Sequence, residues 1–242
     1  MIIYEPKGKA LEYSPLAANL YKGCSHACVY CFAPSATFCD RNKFSSPDYI
    51  SVRKNALIEL EKDAKKINGD HRKILLSFTS DPYQPIEKDL NITREALKIL
   101  LENNLTPQIL TKAGSWPVKR DAILLRKSKA VWAATLTTDD DNESLLWEPG
   151  AALPKDRLKG LWWAKKLGLQ TWVSFEPVIN PDAVYRLIKR SHEYVNLYKV
   201  GKLNYHPLAK EIDWKKFLKT SVSILESLNK KYYIKKDLAV FG

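Results

Sequence analysis

The feature that most constrains the fold is a repeated alternation of short apolar runs and longer amphipathic segments. The apolar runs predict strands at residues 17–21, 73–78, 106–111, 130–137, 170–175 and 194–200. The amphipathic segments predict helices at residues 49–67, 90–104, 118–127, 158–167, 181–189 and 214–228. Strands that alternate with helices favour a parallel sheet with right-handed crossovers. We therefore predict an α/β fold, a partial (β/α)6 barrel of the TIM type with a C-terminal basic helical extension.

No shift in composition marks a domain boundary. We expect one domain over residues 1–242, with a core at 15–205 and a C-terminal basic helix and tail at 206–242. The net charge of the chain is +12, and the stretch from Lys189 to Gly242 holds 12 Lys and Arg against 5 Asp and Glu. A basic region that also carries aromatic residues either faces a polyanion such as nucleic acid or forms a solvated helix surface.

The composition also indicates where the protein works. The chain has no apolar run of about 18 residues, so we expect no membrane span. Its first residues lack the charged head and long apolar core of a secretory signal. Four cysteines in 242 residues are too few for a disulfide-stapled secreted design. We therefore expect free thiols and a cytoplasmic location.

Three of the four cysteines lie within eight residues. Cys24, Cys28 and Cys31 have the spacing C-x3-C-x2-C, which can bring three thiolates to one metal centre. Three ligands leave one position open on a four-coordinate zinc or one iron open on a [4Fe–4S] cluster. Zinc completed by His26 or Cys39 is the alternative, and it would indicate a zinc-binding protein that interacts with nucleic acid.

Polar residues end the predicted strands, where an α/β barrel carries its chemistry. The candidates are Thr79, Ser80 and Asp81 after the second strand, Lys112 after the third, Thr135 on the fourth and Glu176 after the fifth. Lys112 directly follows an apolar run. A lysine there begins partly buried and needs an anionic partner, so it is the candidate that ordinary loop polarity explains least.

Several segments together resemble the radical SAM superfamily, in its spore photoproduct lyase-like (DNA repair photolyase-like) branch. The matching segments are residues 21–33 with the cysteine motif, 80–87, 93–94, 110–112, and 148–150 with Arg157. The likeness covers about residues 15–180, and the order of the segments is more specific than the cysteine spacing alone.

This resemblance implies a [4Fe–4S] cluster on Cys24, Cys28 and Cys31, with S-adenosyl-L-methionine (SAM) as the second cofactor. It places the aromatic ring of Tyr30 near the adenine of SAM and Lys112 at the SAM carboxylate. The remaining SAM contacts that it implies are Thr135, Ser80, Thr79 and Asp81.

The resemblance also implies a lyase-like or modifying enzyme. An external one-electron reductant of the flavodoxin or ferredoxin type would drive cleavage of SAM to a 5′-deoxyadenosyl radical, which abstracts hydrogen from the substrate. Nucleic acid is one substrate class, favoured by the basic C-terminal region, and a peptide or protein is the other.

Three further residues complete these expectations. Phe78 stands where the spore photoproduct lyases carry a hydrogen-donating cysteine, so Tyr83 becomes the candidate for that role. Glu176 is a candidate contact to the substrate or to the SAM ribose. Glu148 and Arg157 are expected to form an ion pair.

Overall fold

The computed structural model describes residues 1–242. The strands are β1 (Ile3–Tyr4), β2 (Leu16–Ala18), β3 (Tyr21–Lys22), β4 (Ser51–Val52), β5 (Ile74–Leu76), β6 (Pro107–Thr111), β7 (Val131–Thr135), β8 (Gln170–Phe175), β9 (Leu197–Val200) and β10 (Lys231–Ile234). The α-helices are α1 (Ala33–Ala36), α2 (Arg41–Phe44), α3 (Ala56–Lys66), α4 (Glu87–Leu90), α5 (Ile92–Glu102), α6 (Trp116–Arg120), α7 (Ala122–Lys127), α8 (Asp141–Trp147), α9 (Pro154–Lys166), α10 (Pro181–Ser191), α11 (Trp214–Ser227) and α12 (Lys236–Ala239). Two 3-10 helices span Gly8–Glu12 and Pro207–Lys210.

Eight strands form one sheet in the order β1-β2-β5-β6-β7-β8-β9-β10. Every neighbouring pair from β2 to β10 is parallel, and β1 joins the edge antiparallel to β2. The six predicted strands are β2 and β5 to β9, in chain order. The predicted α/β fold of the partial barrel type is therefore confirmed. None of the helices is both long and apolar enough to cross a bilayer.

The structure departs from the sequence prediction at the first strand and helix. Strand β2 ends at Ala18, and Tyr21 instead pairs with Val52 in the separate β3–β4 ribbon. Helix α3 begins at Ala56 rather than at Tyr49. Ser51 and Val52 of the intervening segment form β4 of this ribbon, and a turn then leads into the helix, so the helix cannot include these residues.

The C-terminal region also differs from the predicted helical extension. Helix α11 is present, but the chain then returns as β10, which pairs in parallel with β9 over Lys231–Ile234. The sheet thus gains a seventh parallel strand. The pattern of residues 231–240 is only weakly strand-like, so the sequence analysis predicted a helix and tail there rather than a further strand of the sheet.

The predicted helix at 118–127 is divided at Asp121 into α6 and α7. Asp121 is almost fully buried, and its carboxylate accepts a hydrogen bond from Tyr83 Oη at 3.0 Å and pairs with Arg120 at 2.9 Å. The Tyr83 ring is fully buried and packs against Trp116 and Trp132. In this geometry the Tyr83 ring packs in the core. The catalytic role of Tyr83 stays a prediction from the sequence.

Alternation along the strands separates two faces of the sheet. Trp132 and Ala134 of β7 belong to the main core between sheet and helices, whereas Val131 and Ala133 pack on the opposite face, against Trp172. Because side chains alternate with a period of two, Thr135 shares that second face. This interior face is the one on which the strand-end side chains converge.

The segment before β2 fills part of the barrel interior. Tyr13 packs against Trp172, and its backbone carbonyl accepts hydrogen bonds from Gln108 Nε2 and Lys199 Nζ, both at 2.9 Å. Burial, together with the nearby charges of Lys235 and Lys73, lowers the pKa of Lys199 from 10.5 to about 8.

We predict that replacing Tyr83 by Phe lowers stability by about 1.5–3 kcal/mol, because Asp121 loses a buried donor. Thermal unfolding of the purified variant measures the change, at roughly 2–4 °C for each kcal/mol in a chain of this size. Tyr205→Phe is the matched control, since Tyr205 is 96% exposed. An unchanged unfolding temperature in Tyr83→Phe would show that the hydroxyl does not stabilise buried Asp121.

The lowered pKa of Lys199 predicts that the free energy of unfolding depends on pH. Its pKa is about 8 in the folded state and 10.5 ordinarily, so between these values the unfolded chain binds the extra proton. The free energy of unfolding should therefore rise with pH across this window, by roughly 2–3 kcal/mol. Lys199→Met should remove this rise in denaturant titrations, whereas Lys189→Met, on the exposed side of α10, should keep it. Identical pH profiles of unfolding free energy for wild type and Lys199→Met would contradict this prediction.

Candidate functional site

Cys24, Cys28 and Cys31 line one small cavity of about 20 Å³. All three are free thiols. Burial raises the pKa of the Cys28 thiol to about 11, against the opposing effect of Lys112. The structure therefore brings the three predicted ligands together, although no group of three or more His, Cys, Asp or Glu side chains is arranged to hold a single metal ion.

Hydrogen bonds from outside the loop hold its backbone in place. The guanidinium of Arg41 donates to the carbonyl of Cys28 at 3.1 Å and to that of Cys31 at 2.9 Å. Arg41 also lines the cysteine cavity. Gln84, which is fully buried, accepts from the backbone N–H of Ser25 at 3.0 Å and donates to the carbonyl of Gly23 at 3.3 Å. The sequence analysis predicted no role for Arg41 or Gln84 in holding the cysteine loop.

A glycine makes the close approach to this loop possible. Gly150 donates its N–H to the carbonyl of His26 at 3.0 Å. A Cβ at this position would lie 2.0 Å from the carbonyl oxygen of Ser25, so any larger residue would force the loop away.

The two proposed fourth ligands for zinc lie apart from the cavity. His26 is buried, and its Nδ1 lies 3.4 Å from Asp81 Oδ2. Burial lowers the pKa of His26, and Asp81 only partly opposes this. Cys39 does not line the cavity, and its thiol instead lies against the Tyr49 hydroxyl. Neither side chain is placed to complete a site with the three cysteines.

Asp81 ties two strand ends together. Its carboxylate accepts hydrogen bonds from Thr111 Oγ1 at 2.7 Å, from the Lys112 N–H at 2.7 Å and from the Tyr83 N–H at 2.8 Å. These bonds join the loop after β5 to the end of β6. Because its oxygens already have partners, Asp81 shapes the site rather than offering a free acceptor.

Lys112 extends from this junction toward the cysteine loop. Its ammonium lies 5.6 Å from the centroid of the Tyr30 ring. Burial by itself lowers the pKa of Lys112, but its interactions with Cys28 and with the Glu148 carboxylate outweigh burial and hold the pKa above its ordinary value. Lys112 therefore keeps its positive charge beside the cysteines. The sequence predicted that this lysine needs an anionic partner, and Glu148 is one.

Glu148 and Arg157 form the predicted ion pair. The two side chains are almost fully buried, with Arg157 Nη1 lying 2.5 Å from Glu148 Oε2. Glu148 also accepts a hydrogen bond from the Tyr30 hydroxyl, and Arg157 Nη1 donates to the Thr135 carbonyl at 3.1 Å. This chain of contacts connects the cysteine loop to the end of β7, and the sequence did not indicate the link to Tyr30.

Four hydroxyl groups near the strand ends have buried oxygen atoms with no hydrogen-bond partner. They belong to Ser77, Thr79, Ser80 and Thr137. A buried hydroxyl without a partner costs about 1–3 kcal/mol. Such groups therefore suit a polar ligand at this end of the barrel, and two of them, Thr79 and Ser80, are predicted SAM contacts.

Glu176 lies in a second polar cluster, deeper in the interior. Its carboxylate accepts hydrogen bonds from Tyr13 and from Lys235, which is almost fully buried. A Cβ on Gly201 would lie 3.0 Å from Glu176 Cδ, so the glycine leaves room for this side chain. Tyr13 and Lys235 come from opposite ends of the chain, and no sequence pattern links them to Glu176.

Comparison with known proteins supports a family relationship. The uncharacterized protein MJ0683 of Methanocaldococcus jannaschii is 32% identical over 190 residues, which cover 77% of this chain and 69% of that protein. The uncharacterized protein Rv2578c of Mycobacterium tuberculosis is 27% identical over 180 residues, and the chain spans about half of its length (52%). No model of a known protein family matches the chain.

Solved structures share the fold. A spore photoproduct lyase variant with bound AdoMet and dinucleoside spore photoproduct matches 96% of this chain and 78% of its own, with a TM-score of 0.67 and 15% identity. SuiB of Streptococcus suis bound to S-adenosylmethionine matches 90% of this chain and 49% of its own, with a TM-score of 0.64 and 14% identity. The chain therefore belongs to one family with MJ0683 and has the radical SAM fold of the spore photoproduct lyase-like type.

Proposed function

We propose that this chain is a radical SAM enzyme that holds a [4Fe–4S] cluster on Cys24, Cys28 and Cys31. The observation that carries the proposal is that these three cysteines line one cavity that neither His26 nor Cys39 reaches. Three sulfur ligands suit a cluster with one iron open to a non-protein ligand. When bound, the cluster supplies the electron that cleaves SAM to methionine and a 5′-deoxyadenosyl radical, which takes hydrogen from the substrate.

Lys112 binds the SAM carboxylate in this proposal. Its ammonium is retained beside Cys28 and the Tyr30 ring, where an anionic group of the cofactor would complete its partners. Asp81 accepts the Lys112 N–H and so fixes the start of this side chain. Asp81 thus acts on the cofactor through Lys112 rather than by direct contact.

The remaining predicted cofactor contacts are neutral. The buried hydroxyl oxygens of Thr79 and Ser80 have no partner in the protein and match the amine or ribose groups of SAM. Thr135 faces the same interior. Tyr30 is anchored through its hydroxyl to Glu148, which orients the ring for a contact with adenine.

Glu176 is proposed to orient the substrate. Its charge is balanced by Lys235, so it would accept hydrogen bonds from the substrate as a fixed, paired carboxylate rather than as a free negative charge. Phe78 lies against Tyr13, and the chain has no cysteine after Cys39. The proposal therefore does not include a cysteine that returns hydrogen to the product.

Nucleic acid is the favoured substrate class because the chain carries a net charge of +12 and has the fold of a lyase whose structure holds a dinucleoside photoproduct. A peptide or protein is the second candidate, because SuiB, which shares the fold, has been solved with its precursor peptide. In both cases a flavodoxin- or ferredoxin-type protein would supply the electron.

The cluster proposal predicts a difference between two cysteine variants. After anaerobic reconstitution, the wild type and Cys39→Ala should each hold about four irons per chain, because Cys39 lies outside the cavity. Cys28→Ala should lose the iron and all reductant-dependent formation of 5′-deoxyadenosine. Iron and sulfide analysis with chromatography of the nucleoside products measures both. About one zinc per chain in place of iron would favour the zinc-binding alternative.

The carboxylate proposal predicts a loss of SAM affinity in Lys112→Met. Loss of one charged hydrogen bond, about 1.5–3 kcal/mol, should raise the Kd roughly 10- to 150-fold, measured by equilibrium dialysis of reconstituted protein. Lys119→Met is the matched control, since Lys119 also lies 5.6 Å from an aromatic ring but is exposed. Equal Kd values for the Lys112 and Lys119 variants would reject this assignment.

A further inference from the structure

A second cavity shares one lining residue, Phe44, with the cysteine cavity. It has a volume of about 230 Å³. Its other walls come from the β3–β4 ribbon, from Thr37 and Tyr49, and from Thr79 after β5. Of the residues that line it, only Thr79 has a role in the proposals above.

The register of the ribbon places two cations on this cavity. Lys22 pairs with Ser51, and Arg53 donates its N–H to the carbonyl of Leu20. Residues opposite each other in an antiparallel pair share a face, and so do residues two apart along a strand. Lys22 and Arg53 therefore project from the same face, diagonally across the ribbon, and both line the cavity.

These cations have no acidic neighbours. No Asp or Glu lines the cavity, and neither Lys22 nor Arg53 forms a salt bridge. The one side-chain hydrogen bond of Arg53 runs from Nε to the Tyr21 carbonyl at 3.2 Å. That bond orients the guanidinium and leaves its terminal nitrogens free to donate.

Thr79 also lines this cavity. Its hydroxyl oxygen is buried and has no partner. Asn19 holds this part of the chain, because its Oδ1 accepts the N–H groups of Phe78 at 2.8 Å and Thr79 at 3.1 Å. These bonds fix the backbone that carries the Thr79 side chain.

We propose that this cavity binds a phosphate group of a nucleic-acid strand. A guanidinium, an ammonium and a hydroxyl, without any carboxylate, match the donors that phosphate oxygens require. The cavity adjoins the cysteine loop through Gly23 and Phe44, so a strand held here would pass close to the cluster site. The role of this strand as substrate rests on the proposed function, whereas the phosphate site itself does not.

The test is binding of a fluorescein-labelled single-stranded oligonucleotide to the full chain, followed by anisotropy without SAM or reductant. Lys22→Gln should weaken binding about 10-fold and lower the slope of log K against log salt by about 0.7. Arg53→Gln should do the same, and Arg53→Lys should weaken binding less because it keeps the charge. Thr79→Val should weaken binding a few-fold without lowering the unfolding temperature, because the hydroxyl has no partner in the protein.

The matched control is the double variant Lys215→Gln/Lys219→Gln, on the exposed face of α11. Unchanged binding in this control, with loss in Lys22→Gln, supports the cavity. Loss only in the control overturns the proposal in favour of the basic C-terminal surface. Inorganic phosphate or a mononucleotide that binds the cavity as tightly as the oligonucleotide would overturn the assignment to a nucleic-acid strand.

The same experiment separates this proposal from the enzyme proposal. The cavity variants keep all three cluster cysteines, and their iron content, compared with that of the wild type, separates loss of the cluster from loss of the phosphate site. If the reconstituted wild type cleaves no SAM while Lys22→Gln still loses binding, the phosphate site stands and the proposed enzyme does not.

Discussion

The parallel register of neighbouring strands is the constraint on which the site depends. Because every pair from β2 to β10 runs in the same direction, the carboxyl ends of these strands meet at one edge of the sheet. Residues as distant in the chain as Asp81 and Lys112 become neighbours there. The cysteine loop follows β3 and lies over this edge, where its thiols can share one cavity.

Buried carboxylates then hold the parts together. Asp81 joins the ends of β5 and β6, Glu148 joins Tyr30 to Arg157, and Glu176 joins Tyr13 to Lys235. A buried charge is tolerated only where donors or cations surround it, and each of these acids has at least two. The strand ends are thus rigidly cross-linked, while nearby hydroxyls on Thr79 and Ser80 are left without partners. The carboxylates, which all have hydrogen-bond or ion-pair partners, therefore hold the strand ends in place. The hydroxyls, which have no partners, are the groups proposed to bind a ligand.

The sequence was sufficient for the alternating strands and for the residues that carry a local pattern. The cysteine spacing, the lysine directly after β6 and the ion pair of Glu148 with Arg157 were all anticipated. The sequence made Tyr83 a candidate hydrogen donor in place of a cysteine, and that role stays a prediction. Only the structure showed that the ring packs against Trp116 and Trp132. The β3–β4 ribbon was missed because four residues of strand give too short a pattern to compete with the following helix.

The fold class and the candidate cysteine, lysine and strand-end residues could be predicted from local patterns, because apolar periodicity and ligand spacing are local properties of the chain. Only the tertiary structure decided that Arg41 and Gln84 hold the cysteine loop, that Tyr13 and Lys235 meet at Glu176, and that Lys22 and Arg53 share a cavity with Thr79. These contacts join residues tens to hundreds of positions apart. They arise from strand register and sheet order, which no local sequence pattern encodes.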